Sequence, residues 1–266
     1  GKSALTLNTT ANNNTAVGFS ALFANTTGLE NVAVGTNCLD ANTTGFDNTA
    51  GGFSSLGANT TASYHTAFGA FALNANTSGV GNTAVGSHSL DANTSGSANA
   101  AFGRSALTAS TSGSFNTGLG SFALQTNSTA SHNTAVGYNS LGANTTGHSN
   151  TSVGSNALDA NQTGHSATAV GYNALTLSTG NNNTAIGRST LESCTTGFSN
   201  VAVGRGALGT NTTGNYNVGI GLNALTYSTT ASDNVAIGSQ ALQENTTGTK
   251  NVALGFDALR NSTTAS

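Results

Sequence analysis

A glycine recurs every 17 residues along this 266-residue chain, and a leucine stands four residues after each one. The glycines run from Gly1 and Gly18 to Gly255, and one step, from Gly171 to Gly187, is 16 residues instead. A short period kept along the whole chain marks stacked units that each rest on their neighbours. The sequence therefore predicts a single repeat array of about 16 coils over residues 1–266.

One coil reads N-T-A-V-G-x-x-A-L-x-A-N-T-T-G-x-x. Its first four residues are rich in Thr, Val, Ile and Phe, which favour an extended strand, whereas its many Gly, Asn and Thr residues disfavour a helix. We expect the repeated glycine to form a corner at positive φ, the Ala-Leu pair to form a second short extended piece, and N-T-T-G to form a turn. The pattern predicts an all-β, parallel β-solenoid (a β-roll) with two or three short strands in each coil. Asparagine and threonine ladders should run along the stack.

The leucine is the one large side chain that every coil keeps, so it should fill the core of each coil. Each buried leucine contributes about 1.5–3 kcal/mol. The predicted core ladder consists of Leu22, Leu39, Leu56, Leu73, Leu90, Leu107, Leu124, Leu141, Leu158, Leu175, Leu191, Leu208, Leu225, Leu242 and Leu259.

The predicted strand has one face of Thr, Val, Phe or Ile and another face of Ala. A strand with one wet face alternates apolar with polar residues, so the small, uncharged alanine face suggests that another surface comes close. We expect side-by-side association along the length, which would bury an intermittent aromatic row; a lone solenoid with a flat face of small residues is the alternative. That row follows the repeated glycine and is the candidate oligomer interface: Phe19, Phe53, Tyr138, Tyr172, Leu222 and Phe256.

Two stretches of the repeat resemble known repeat families. Residues 234–241, N-V-A-I-G-S-Q-A, resemble the head repeat of YadA-type trimeric autotransporter adhesins, although the coil here is longer. Residues 134–141, T-A-V-G-Y-N-S-L, with residues 144–147, N-T-T-G, are similar to repeat arrays of phage tail fibres and bacterial surface proteins. Such arrays often precede an endosialidase-type intramolecular chaperone domain. The resemblance covers the whole chain and implies a left-handed, homotrimeric β-roll that acts outside the cell, on a cell surface or a virion.

The ends of the chain interrupt the repeat. Gly1 already occupies the repeated-glycine position, and Ser266 stops between a turn and the next strand, with no polar cap at either end. An open solenoid end exposes core and strand edges. We therefore expect the chain to be an excerpt of a longer fibre.

Composition excludes several partners. Charged residues make up 6% of the chain and the formal net charge is −3, so no basic stripe is present for nucleic acid, and apolar runs are too short for membrane insertion. Cys38 and Cys194 lie nine repeats apart, about 40 Å at the spacing of stacked strands, which is too far for a disulfide. We expect buried, idle thiols.

No pattern predicts catalysis, a cofactor or a metal. Asp40, Asp91 and Asp159 share one slot after the leucine, which we interpret as solvated surface and not as the converging carboxylates of a glycosidase. His148 and His165 share a slot in successive coils and should lie about 5 Å apart. A loop surface explains them better than a metal site, and no phosphate-binding glycine motif is present.

The sequence predicts a structural or receptor-binding fibre, and not an enzyme, that attaches to a cell-surface glycan or protein receptor. One alternative is an ice-binding solenoid, and another is a glycan-degrading tailspike, which would need acidic residues from neighbouring chains to meet in a groove. The Asn-Thr-Thr sequons of the turns are explained by turn chemistry and would be glycosylated only in a eukaryotic secretory pathway. The candidate ligand ladder of the ice-binding alternative consists of Thr26, Thr27, Thr43, Thr44, Thr145 and Thr146.

Overall fold

The structure is a computed structural model that describes residues 1–264. Within that range, fifteen strands of three residues each alternate with turns. The strands are β1 (Thr15–Val17), β2 (Val32–Val34), β3 (Thr49–Gly51), β4 (Thr66–Phe68), β5 (Thr83–Val85), β6 (Ala100–Phe102), β7 (Thr117–Leu119), β8 (Thr134–Val136), β9 (Thr151–Val153), β10 (Thr168–Val170), β11 (Thr184–Ile186), β12 (Val201–Val203), β13 (Val218–Ile220), β14 (Val235–Ile237) and β15 (Val252–Leu254).

The chain divides into two compact units, Gly1–Asn133 and Thr134–Ser266. Strands β1 to β7 of the first unit pair in chain order, as do β8 to β15 of the second, and every pair is parallel. Each residue lies beside its counterpart one coil later. The 16-residue coil keeps this register, with Thr168 beside Thr184, because its deletion falls in a turn. Both units are therefore all-β, parallel β-solenoids with a coil of 17 residues, as predicted.

Each coil contains one strand, and the predicted second extended piece at the Ala-Leu pair is wrong. The repeated leucines have φ between 49° and 55°, in the left-handed region, which costs a non-glycine residue about 1–2 kcal/mol. Hydrogen bonds to both neighbouring coils offset this cost. The N–H of Leu56 donates to the carbonyl of Ala72 in the following coil, and the carbonyl of Ser55, in the same peptide group, accepts from the N–H of Leu39 in the preceding coil, both at 3.0 Å.

The repeated glycine forms the predicted corner. Gly154 has a φ of +139°, and a Cβ atom on it would overlap the carbonyl oxygen of Gly171 in the next coil. The position requires glycine both for its backbone conformation and for the close approach of the neighbouring coil.

The repeated leucines form the core, as predicted. Those from Leu22 to Leu242 are at most 1% exposed. Leu259 lies in the last coil of the described range and is 52% exposed, because no described coil packs over it.

The expectation that the alanine face of the strand meets another molecule is wrong. The middle residue of β2 to β14, such as Ala33 and Ala67, is buried and faces the interior of its own coil. A Cβ atom on Gly118, which replaces alanine at this position, would lie 3.5 Å from Cδ1 of Leu107. The interior of so short a coil accommodates alanine beside leucine, so the larger strand residues point outward.

Candidate interaction surfaces

Two ladders of asparagine run through the stack, and both are buried. In the N-T-T-G turn, Nδ2 of Asn42 donates to Oδ1 of Asn25 in the preceding coil at 2.9 Å and to the carbonyl of Gly45 at 3.0 Å. In the residue before each strand, the N–H of Asn48 donates to Oδ1 of Asn31 at 3.1 Å. Asparagine ladders are predicted by the repeat, but their complete burial is not. These side chains hold the coils together and are inaccessible to a ligand.

The candidate ligand threonines are of two kinds. Oγ1 of Thr26 donates to the carbonyl of Thr43 in the next coil at 3.0 Å. In the same way, Oγ1 of Thr43 donates to the carbonyl of Thr60, and Oγ1 of Thr145 donates to that of Gln162. In most turns the first hydroxyl thus bridges two coils. The second threonine of the turn is exposed, as at Thr27, Thr44 and Thr146.

The outward face of the sheet carries two uncharged rows of side chains, which we call the sheet face. The first row is the first residue of each strand, which is Thr, Val or Ala; the second row is the third residue, which is Val, Ile, Leu, Phe or Gly. Large apolar side chains are strongly exposed here, for example Phe68 at 46% and Ile220 at 37%. The others on this face with comparable exposure are Val17, Val34, Phe102 and Leu119 in the first unit and Ile186, Val201, Ile237, Val252 and Leu254 in the second.

The residue after the repeated glycine lies just beyond the sheet face, across the corner. All six predicted interface residues of this position, Phe19, Phe53, Tyr138, Tyr172, Leu222 and Phe256, are exposed, between 41% and 74%. The same position also holds Lys2, Arg104, Arg188 and Arg205. This row mixes aromatic and cationic side chains, whereas the sheet face carries no charge.

The predicted histidine pair is confirmed in its spacing. The rings of His148 and His165 stack with centroids 5.0 Å apart and planes inclined by 2°. His148 is exposed and His165 is half-buried, and Nδ1 of His148 lies 3.3 Å from Oγ of the adjacent Ser149. Residues 1–264 contain no cluster of three or more His, Cys, Asp or Glu side chains arranged to hold a metal ion.

His65 is a buried member of the asparagine ladder, and the sequence analysis did not identify this role. The backbone N–H of His65 donates to Oδ1 of Asn48 at 3.1 Å, and Nδ1 of its ring accepts from the backbone N–H of Asn82 at 3.1 Å. Burial lowers the pKa of His65 from its ordinary 6.5 to about 4. The signal in the sequence was positional, because His65 stands where other coils have the asparagine of N-T-A-V-G.

The aspartates after the leucine are less exposed than predicted. Asp40, Asp91 and Asp159 are half-buried, and burial raises the pKa of both Asp40 and Asp159. Oδ1 of Asp159 accepts from Nδ2 of Asn139 at 2.7 Å, and Oδ2 of Asp91 lies 2.8 Å from Nδ1 of His88. These carboxylates have local partners and lie on separate coils.

The two cysteines are free and buried, as predicted. Burial raises the pKa of Cys38 to about 12 and that of Cys194 to about 11. Sγ of Cys194 takes an asparagine position in the turn ladder and donates to the carbonyl of Gly197 at 3.4 Å. Both thiols therefore stay protonated at neutral pH and are poor nucleophiles.

The described residues present surfaces and no cavity. Nowhere between residues 1 and 264 is there a helix of the length and apolarity needed to traverse a bilayer. Searches of protein-family models, curated proteins and solved structures gave no match to this chain.

Proposed function

We propose that this chain is a shaft segment of an extracellular, homotrimeric fibre that attaches a cell or a virion to a surface glycan or a protein receptor. The observation that carries the proposal is the uncharged sheet face. The strand pairs are parallel, and parallel sheets are usually covered on both faces; large contiguous apolar patches also mark interaction sites. Here the third residue of every strand except β3 is an apolar side chain on the outward face, and a partner that covers this row would remove it from water.

A second copy of the same chain is the partner that fits this face best. The sheet face repeats once per coil, at about 4.8 Å, and an identical copy repeats at the same spacing within each unit. Identical subunits also associate most often in closed cyclic arrangements. The number three comes from the resemblance to YadA-type and tail-fibre repeats.

The interior of the coils suits a mechanical role. The coils from Leu22 to Leu242 repeat the same buried leucine and similar backbone bonds to their neighbours, and most coils add an asparagine bond such as that from Asn42 to Asn25. Such stacking distributes stability along the chain and does not concentrate it in one core. A rigid shaft needs this property, whereas an enzyme needs a cleft.

Sedimentation equilibrium tests the proposal. We expect the chain to behave as three copies of 26.0 kDa. Phe68→Lys and Ile220→Lys, one in each unit of the sheet face, should give monomers because lysine would have to be desolvated in the interface. A matched pair of controls, Thr27→Lys and Thr213→Lys, lies at the exposed second threonine of the turn and should remain trimeric. A stable wild-type monomer would contradict the proposal.

Neither alternative from the sequence gains support from the side chains. The ice-binding alternative needs paired rows of threonine on one flat face, but in most turns the first hydroxyl donates within the stack, as at Thr26. The tailspike alternative needs converging carboxylates, and Asp159 is half-buried and bonded to Asn139. We therefore propose neither activity.

A further inference from the structure

We infer that Tyr172, Arg188 and Arg205 form a binding site for an acidic saccharide, a sugar that bears a carboxylate or a sulfate. The inference rests on the proposed function, because it names the chemical class of receptor to which the fibre would attach. All three residues belong to the second unit and follow the repeated glycine in three successive coils.

The backbone places the three side chains side by side. The carbonyl of Tyr172 accepts from the N–H of Ser189 at 2.9 Å, and that of Arg188 accepts from the N–H of Gly206 at 3.1 Å. Neighbouring coils are thus in direct contact at this position, with the spacing of about 4.8 Å that paired strands have. Tyr172, Arg188 and Arg205 are all exposed, so their side chains form one short row open to solvent.

The two guanidinium groups have no acidic partner in an ion pair among residues 1–264. Glu192 is the one acidic residue between positions 160 and 232, and its Oε1 accepts from Nδ2 of Asn173 at 3.2 Å. The ion pairs of the described residues involve neither Arg188 nor Arg205. Arg188 and Arg205 occupy the same position in adjacent coils, where two like charges repel each other. Departures from such a local rule are expected at functional sites.

Arg104 shows what an isolated arginine does at the same position. Its guanidinium carbon lies 4.4 Å from the ring centroid of Phe122 in the next coil. Its neighbours in the row are Ser87 and Ser121. Arg188, by contrast, lies 5.8 Å from the ring centroid of Tyr172 and has a second arginine beside it. Arg104 therefore provides a matched control for charge at this position.

The chemistry of the row fits a sugar that carries an anion. Two adjacent guanidinium groups can share one carboxylate or sulfate through several charge-assisted hydrogen bonds. The exposed ring of Tyr172 provides an apolar surface for a pyranose and a hydroxyl for a hydrogen bond. Nucleic acid fits less well, because it needs an extended basic surface and the chain has a net charge of −3.

Titration of the purified, assembled chain with three trisaccharide or disaccharide probes tests the inference. The probes are sialyllactose, a sulfated lactose and neutral lactose, with binding followed by calorimetry or NMR shifts. We expect at least one anionic probe to bind tenfold or more tightly than lactose. Arg188→Ser with Arg205→Ser should weaken it at least tenfold, Tyr172→Ser should also weaken it, and Arg104→Ser should leave it unchanged.

Serine occupies this position at Ser155 and Ser239, so the variants should fold, and circular dichroism checks this. Equal binding by the double variant and the wild type, equal affinity for lactose, or no binding of either anionic probe would overturn the inference. A duplex DNA that binds more tightly than both probes would also overturn it. Sedimentation of the same samples separates the two proposals, because a monomer that still binds the sugar would contradict the fibre alone.

Discussion

At the scale of single residues, His65 shows how burial in the stack changes the pKa of an ionisable side chain. It accepts a hydrogen bond from the N–H of Asn82 through Nδ1, and protonation of Nδ1 would replace this acceptor with a donor. The ring is 1% exposed, and burial lowers its pKa from 6.5 to about 4. Between pH 6.5 and 4, the ring of His65 is therefore protonated in the unfolded chain and neutral in the folded chain.

The pH dependence of stability follows from that shift. Above pH 6.5 the ring is neutral in both states and its contribution is fully present. As the pH falls from 6.5 toward 4, the unfolded chain binds a proton and the folded chain does not, so stability is lost by up to about 3 kcal/mol. In His65→Asn, which restores the usual ladder residue, this loss should disappear. Denaturant unfolding at pH 7.5 and 4.5 measures the difference.

A control variant makes that result specific. His148 is exposed, so His148→Asn should keep the pH dependence of the wild type. If His65→Asn and the wild type lose the same stability between the two pH values, His65 does not titrate as its burial requires.

A gap in the turn ladder gives a second prediction at this scale. Ser110 replaces the ladder asparagine, and both its Oγ and the Oδ1 of Asn93 in the preceding coil are buried without a partner. Ser110→Asn should supply an Nδ2 to both Asn93 and the carbonyl of Gly113, and so stabilise the fold by about 1–2 kcal/mol. Ser112→Asn, at an exposed position of the same turn, should change thermal stability little. Equal effects of the two changes would contradict the ladder geometry.

At the scale of one coil, the buried leucine is the main packing element. Leu141 is fully buried, so Leu141→Ala should destabilise by about 2–5 kcal/mol through lost burial and a cavity. Leu177 is large and apolar but 50% exposed in its turn, and Leu177→Ala should cost far less. Hydrogen exchange of the coils on either side of residue 141 measures the local opening, and similar exchange in the two variants would contradict the core assignment.

Some features of the coil can be predicted from the sequence and others cannot. The period, the glycine corner and the leucine core can be predicted, because they depend on residues that hardly vary along the chain. Alternation separates the alanine of Ala33 from the valine of Val34 but does not say which points inward, since both are apolar; the narrow interior decides this. The left-handed backbone of the leucines cannot be predicted, because intrinsic preference opposes it and bonds to both neighbouring coils stabilise it.

The exposed rows are only partly predictable for a related reason. The six candidate interface residues are exposed, but they lie beyond the sheet face, and their row also includes Arg188 and Arg205. A consensus of the repeat hides residues that differ from it, such as these two arginines, whereas the structure shows which of these residues lie side by side. The sheet face is recognised only once the strand direction is known.

At the scale of the whole molecule, the repeat places most Asn-Thr-Thr sequons in the buried ladder. Asn144 is fully buried and its Nδ2 donates to the carbonyl of Gly147 at 2.9 Å. The sequon of Asn182, with Asn183 and Thr184, is an exception, because Asn182 is exposed. A glycan on a ladder asparagine could not be accommodated between stacked coils. The stack should therefore protect the sequons of buried ladder asparagines from glycosylation and leave the sequon of the exposed Asn182 accessible.

A purified oligosaccharyltransferase with its lipid-linked donor tests this protection. On the folded chain, we expect peptide mass spectrometry to find occupancy at Asn182 at least tenfold above that at Asn144. Synthetic peptides spanning the two sites provide the control, because without the stack their occupancies should depend only on local sequence. If the folded chain is modified at Asn144 as readily as its peptide, the coils must open far more often than leucine cores and buried asparagine ladders allow.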